Sequence, residues 1–162
     1  MTRSRAIFGL GFLGCASALL IAIFYFQNTL GLAPCPLCVI QRVIFISLGA
    51  VFLIATLHNP EGTMRRVYAG LAALVALVGA GVSAWHVRLQ NLPPDEVPEC
   101  GPGLDFMMEV MPMQQVLAEI FTGSGECSEV LWSFLGLSIP AWTGLTFLAF
   151  GLYSLWILIA KR

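Results

Sequence analysis

Cys35 and Cys38 stand two residues apart in Cys35-Pro36-Leu37-Cys38, with Gln41 and Arg42 about one helical turn further on. Two thiols at this spacing can close a small disulfide or supply half of a metal site. At a water–lipid boundary they can also trade electrons with a lipid-soluble carrier. Two further cysteines lie in pliable backbone: Cys100 is followed by Gly101 and Gly103, and Cys127 follows Gly123 and Gly125. The fifth, Cys15, sits inside an apolar run and reads as a small buried hydrophobe. His86, just ahead of Arg88, Leu89 and Gln90, is either a solvated interface residue or a group that trades a proton near neutral pH.

The elements that must position these residues belong to a membrane protein. The chain has 162 residues, 58% of them hydrophobic and 10% charged, which is far from the composition of a water-soluble domain. Four apolar stretches, about 7–26, 37–57, 67–89 and 139–159, each have the length a helix needs to cross the hydrocarbon core, and lone strands would leave their backbone groups unpaired there. The expected fold is therefore an all-α integral membrane bundle of four transmembrane helices in one domain, 1–162, with outer loops at about 27–36 and 90–138. The alternative for the first stretch, a cleaved signal peptide after Arg3 and Arg5, fits poorly with its length and with Pro34 following Gly31 and Ala33.

Charge sets the orientation. Arg3, Arg5, Arg65, Arg66, Lys161 and Arg162 make six of the eight cations and all fall on one side, which the positive-inside rule makes cytoplasmic along with both termini. Of the nine acids, all but Glu61 lie between Asp95 and Glu129 on the other side. The balance of −1 conceals this asymmetry and gives no sign of nucleic-acid binding. Cys35, Cys38, Cys100 and Cys127 then share the outer side, an oxidising compartment where disulfides persist.

Local signals place the chemistry further. Gly14, Ala18 and Ala22 form one small-residue stripe, and Ala72, Ala76, Ala80 and Ala84 another; both let helices approach closely. Pro36 suits the first position of the second helix, which puts Cys38 in its first turn, near the positive dipole end, where an anion is favoured. Arg42 follows Cys38 by four residues and shares its face. A cation there opposes the dipole by about 0.3–1 kcal/mol; a Cys38 thiolate would relieve that, and snorkelling to headgroups is the other outcome. In the outer loop, Pro112 opens a short amphipathic helix with Met113, Val116, Leu117, Ile120 and Phe121 on one face, expected to lie on the membrane surface, with docking to a partner as the alternative. His58, in the short inner loop, is expected to be solvated.

Several chemistries compete for the cysteines. A structural zinc site usually takes two close pairs, and Cys100 and Cys127 are 27 positions apart. Haem attachment needs histidine after the second cysteine, where Val39 stands. A clip joining Cys100 and Cys127 is worth roughly 3.5 kcal/mol at most from loop closure, and it leaves Cys38 and Arg42 unexplained. An electron relay uses both pairs: an accessible outer one to meet a soluble protein and a second one to meet a membrane acceptor.

Taken in order, Cys35-Pro36-Leu37-Cys38 with Gln41-Arg42, His86 with Leu89-Gln90, and Gly125-Glu126-Cys127 ahead of Trp132-Ser133-Phe134-Leu135-Gly136-Leu137 resemble the disulfide bond formation protein B family. These are bacterial inner-membrane quinone reductases that reoxidise the periplasmic thiol oxidase DsbA. The resemblance implies redox disulfides Cys35–Cys38 and Cys100–Cys127, with Cys100 forming the mixed disulfide with DsbA, Cys127 exchanging with Cys35, and Cys38 facing the quinone as a thiolate. It implies quinone contacts from Arg42, His86, Leu89 and Gln90, ubiquinone or menaquinone as cofactor, no metal, and a periplasmic position for the active cysteines. Pro36-Leu37 differs from the intervening pair of many members, and Arg88 stands where the family has no fixed basic residue. A vitamin K epoxide reductase-like enzyme and a non-enzymatic protein with a stapled loop remain as alternatives.

Overall fold

The computed structural model describes residues 3–93, 96, 104–122 and 125–160, with the backbone alone at 3, 104, 105, 117, 119, 121, 122 and 126. Four long helices, each apolar enough to cross a membrane, form the body. They are α1 (Arg3–Leu20), which runs on as a π-helix over Ile21–Thr29, α2 (Pro36–His58), α3 (Gly62–Gln90) and α7 (Ile139–Ile159). Among the described residues between α3 and α7 are three short helices, α4 (Leu104–Val110), α5 (Met113–Thr122) and α6 (Gly125–Ser128), and the strands β1 (Ser133–Phe134) and β2 (Leu137–Ser138).

The helices start and stop where local chemistry dictates. Cys35 is the extended residue before α2, and Pro36 fills the first turn, where no backbone donor is needed. The same helix ends on Asn59, whose left-handed backbone (φ 51°) turns its N–H back onto the Ala55 carbonyl. α3 begins at Gly62, ahead of the apolar stretch, because Thr63, Arg65 and Arg66 can extend a helix beyond the hydrocarbon without being buried in it.

Packing closes the bundle. α1 lies against α2, α2 against α3, and α3 against α7. Tyr153 completes the circuit by donating its hydroxyl to the Ile7 carbonyl at 2.8 Å, joining α7 to α1. Phe8, Leu48, Phe52, Ala69, Ala72, Ala76 and Phe147 are fully buried between them, and Phe45 stacks on Phe147 with centroids 4.1 Å apart. A Cβ at Gly79 would stand 2.6 Å from the Phe147 ring, so only glycine allows that approach. The outward faces carry bare leucines such as Leu10, Leu77 and Leu152, each more than 60% exposed. A water-soluble protein avoids such a belt; in lipid it costs nothing.

At the end of the bundle that carries both termini, side chains close the helix ends. Arg5 donates from Nε to the Thr56 carbonyl (3.1 Å), Ser4 donates to the Pro60 carbonyl (2.9 Å), and Arg65 reaches the Ala160 carbonyl at 3.5 Å. His58 is exposed, as expected, but its Nδ1 also lies 2.9 Å from the Tyr68 hydroxyl.

The outer segment departs from expectation. Two residues of the apolar face of α5, Val116 and Ile120, turn inward and are buried in a cluster with Cys35, Leu37, Leu89, Met107 and Cys127, while Met113 is exposed. The cysteines offer this helix an apolar surface inside the protein, and α5 forms a lid over them. The two-residue strands were not anticipated either. Leu135 (φ 53°) and Gly136 (φ 77°) supply the two left-handed positions that a tight hairpin turn requires.

Candidate functional site

The site forms where the outer ends of α2 and α3 meet α6. Cys35 Sγ lies 3.1 Å from Cys38 Sγ and 3.6 Å from His86 Nε2. Cys35, His86 and Cys127 each place one donor atom within 4.8 Å of the others, and all three are buried. α6 accounts for this: a single turn over Gly125–Ser128, fastened by the Ser128 hydroxyl on the Gly125 carbonyl (2.7 Å), turns Cys127 inward onto α3. Cys127 therefore faces Cys35 although the two are far apart in the chain. Cys100, and with it any Cys100–Cys127 bond, lies outside the described residues.

The environment separates the two thiols of the close pair. A hydrogen bond with Cys127 pulls the Cys35 thiol down, but the neighbouring Cys38 thiol and burial outweigh it and push the group up to about 12. Cys35 is thus held as a thiol in the reduced protein, shielded beneath α5. Cys38 is the more exposed of the two, and both line one cavity.

That cavity, about 570 Å³, falls in the range of sites for small organic ligands. Its walls are mostly apolar, with Phe26 and Trp132 in edge contact at 5.0 Å, and its polar groups include Arg42, His86 and Gln90. Arg42 donates from Nη1 to Gln27 Oε1 at 2.6 Å and from Nη2 to the Ala22 carbonyl at 3.3 Å. Both acceptors are neutral, so they aim the cation without cancelling its charge. Both also belong to the π-helical end of α1, an irregularity of a kind that recurs at functional sites. An apolar slot with a cation, an amide and a thiol on its walls suits a flat quinone ring carrying two carbonyl oxygens. The donor set Cys35, His86 and Cys127 is also of the type that soft metals take.

The residues expected to share a ligand site divide. Arg42, His86 and Gln90 line the cavity beside Cys38, and Gln90 also reaches the Glu129 carbonyl at 3.5 Å. Leu89 points the other way, 3% exposed, into the cluster beneath α5. Arg88 lies 5.4 Å from the Trp85 ring centroid, a cation–π contact at the helix end. Cys15 is buried in the central core, as a small hydrophobe would be.

Two residues beyond those expected belong to the site. Gln27 holds Arg42, and Gln41, 3% exposed, has its amide nitrogen 3.4 Å from His86 Nδ1. Gln41 carried a readable signal, because it continues the buried seam Leu37, Phe45, Leu48, Phe52 and Ala55 of α2. A polar residue in a core seam inside a membrane must find a partner.

The chain is similar to known proteins over nearly its whole length. Residues 4–157 match the family model described as DsbB, disulfide bond formation protein DsbB. The chain is similar to a disulfide bond formation protein B of Nitrosococcus oceani, 53% identical over 94% of this chain and 89% of the relative. A protein of the same name from Methylococcus capsulatus is 50% identical over 96% and 94%, and one from Stutzerimonas stutzeri 44% identical over 99% and 98%.

Proposed function

The chain belongs to the DsbB family of disulfide bond formation proteins, and from that premise we propose how its own residues carry the electrons. It is a multi-pass protein of the inner membrane and a disulfide oxidoreductase that reoxidises DsbA. In the proposed orientation both termini are cytoplasmic and the four working cysteines periplasmic.

The proposed relay has three bond exchanges. A thiolate of DsbA attacks Cys100 of a Cys100–Cys127 disulfide, forming the mixed disulfide and leaving the electron pair on Cys127. Cys127 then attacks Cys35 of a Cys35–Cys38 disulfide; the Cys35–Cys127 bond forms, the Cys35–Cys38 bond breaks, and the pair passes to Cys38. The second thiolate of DsbA attacks the mixed disulfide, releasing oxidised DsbA and leaving Cys100 reduced. Two electrons have then moved from outside the membrane to the cavity wall.

A bound quinone, ubiquinone or menaquinone, supplies the two-electron acceptor for this pair. The residues present fit that group: Cys38 opens onto the cavity, Arg42 brings a fixed positive charge to the same wall, and His86 and Gln90 add polar groups. Arg42 stabilises negative charge that appears beside it, which is worth more in a dry site than in water. The observation that carries the assignment is the convergence of Cys127 on Cys35, with Cys38 outside that cluster and the more exposed of the pair on the cavity wall.

Replacing the cysteine that should release the partner gives a direct test. A Cys127→Ser variant mixed with reduced DsbA is expected to accumulate a mixed disulfide through Cys100, visible on a non-reducing gel. Failure to accumulate any such adduct contradicts the assignment of Cys100 and Cys127 as the partner-facing pair.

A further inference from the structure

A buried polar chain runs from Gln41 through His86 to Cys35, and of its three members the relay leaves Gln41 without a role. Gln41 and His86 are 3% and 2% exposed, inside a core where an unsatisfied polar group is costly. Gln41 Nε2 is 3.4 Å from His86 Nδ1, and His86 Nε2 is 3.6 Å from Cys35 Sγ. An amide nitrogen only donates, so Nδ1 on this geometry accepts and carries no proton. The ring proton then sits on Nε2, facing sulfur. The far end of the chain agrees, because Cys35 directs its own S–H to Cys38 Sγ at 3.1 Å and presents lone pairs to the ring.

We propose that Gln41 is a positioning residue that fixes His86 in the Nε2–H form, so that the imidazole donates a hydrogen bond to Cys35 Sγ. The inference rests on the relay above. Its use comes when the outer disulfide is restored: the Cys100 thiolate attacks Cys127, the Cys100–Cys127 bond forms, the Cys35–Cys127 bond breaks, and Cys35 keeps the electron pair. No proton or outside oxidant enters that step. The sulfur is buried beside α5, and Nε2–H, on a ring that also meets the Cys127 backbone, is placed 3.6 Å from that sulfur to meet its charge. The same alignment explains why an amide occupies a position whose neighbours along the seam are Leu37 and Phe45.

The tautomer can be observed without partner or quinone. The chain has two histidines, so ¹⁵N NMR of the reduced protein in micelles, with a His58→Asn variant for assignment, isolates the His86 ring. In the native protein Nε2 is expected to be protonated and Nδ1 bare. Gln41→Glu keeps the shape but, as a carboxylate, only accepts; it should move the proton to Nδ1. The Cys35–Cys127 exchange should slow about tenfold, the weight of one hydrogen bond to a charged group. Gln41→Leu, a second variant against misfolding, should show a mixture of tautomers and a comparable slowing. A native Nδ1–H form, or a ring unchanged in both variants, overturns the proposal. So does a shifted tautomer with unaltered exchange. If Cys100 fails to trap DsbA while the tautomer shifts as expected, the relay has failed and the positioning by Gln41 stands.

Discussion

At the scale of single residues the site separates two thiols that differ little in sequence. Cys35 is buried, pressed against Cys127 and Cys38, and pushed up to about 12 from an ordinary thiol value of 9.0. The sign is simple: below about 12 the proton stays on, and the thiolate fraction rises tenfold with each pH unit until that point. Peptide-resolved alkylation of the reduced protein should therefore show labelling at Cys35 still climbing beyond pH 10; a plateau near pH 9 contradicts the environment described. Arg42 is the other residue with a defined task. Its removal in Arg42→Ala takes one fixed positive charge from the cavity wall, and loss of such a donor costs about 10²–10³ in kcat. Measured turnover of DsbA at saturating quinone checks this, and a fall in apparent quinone affinity with kcat unchanged argues instead for a binding role alone.

At the scale of elements, the four spanning helices were plain in the sequence because lipid demands long apolar runs with paired backbones. The loop elements were not. α5 announced an amphipathic face, but the surface it covers consists of Cys35, Leu89 and Cys127, which come together only in three dimensions. The burial of His86 was recoverable. Along α3 the buried positions are Ala69, Ala72, Ala76, Gly79, Ser83, His86 and Leu89, each three or four residues after the last. The strict four-residue stripe drifts about 40° per step around the helix and leaves Ala84 exposed. Following the core seam leads to His86 inside; following the stripe misses it. Leu89, grouped with the cavity residues from its motif, lies on that same seam and faces the cluster under α5. The lid is testable as an element: Ile120→Asp places a charge in the apolar face of α5. Burial of such a group costs several kcal/mol unless it is paired. The helix should lift and alkylation of Cys35 and Cys127 should accelerate more than tenfold, whereas unchanged labelling means that α5 does not control access.

At the scale of the whole molecule, the bundle is a rigid frame with its working parts at one end. Aromatic stacking and the Gly79–Phe147 approach fix α2, α3 and α7 relative to one another. The outer ends of α2 and α3 then hold Cys35, Cys38 and His86 in place, and the short helices bring Cys127 to them. The cavity borders Cys35, Cys38 and His86, with Cys38 the more exposed thiol, and is flanked by the π-helical end of α1. The frame thus gives the pair two different neighbours, a loop thiol on one side and an apolar slot on the other. Removing Cys38 tests that division most directly. Purified oxidised protein is mixed with reduced DsbA and a quinone analogue, and quinone absorbance is followed alongside the thiol count. The account predicts one quinone reduced for each dithiol oxidised, and no quinone reduction with Cys38→Ala even though DsbA is still captured. Full quinone-dependent oxidation of DsbA by Cys38→Ala would contradict it.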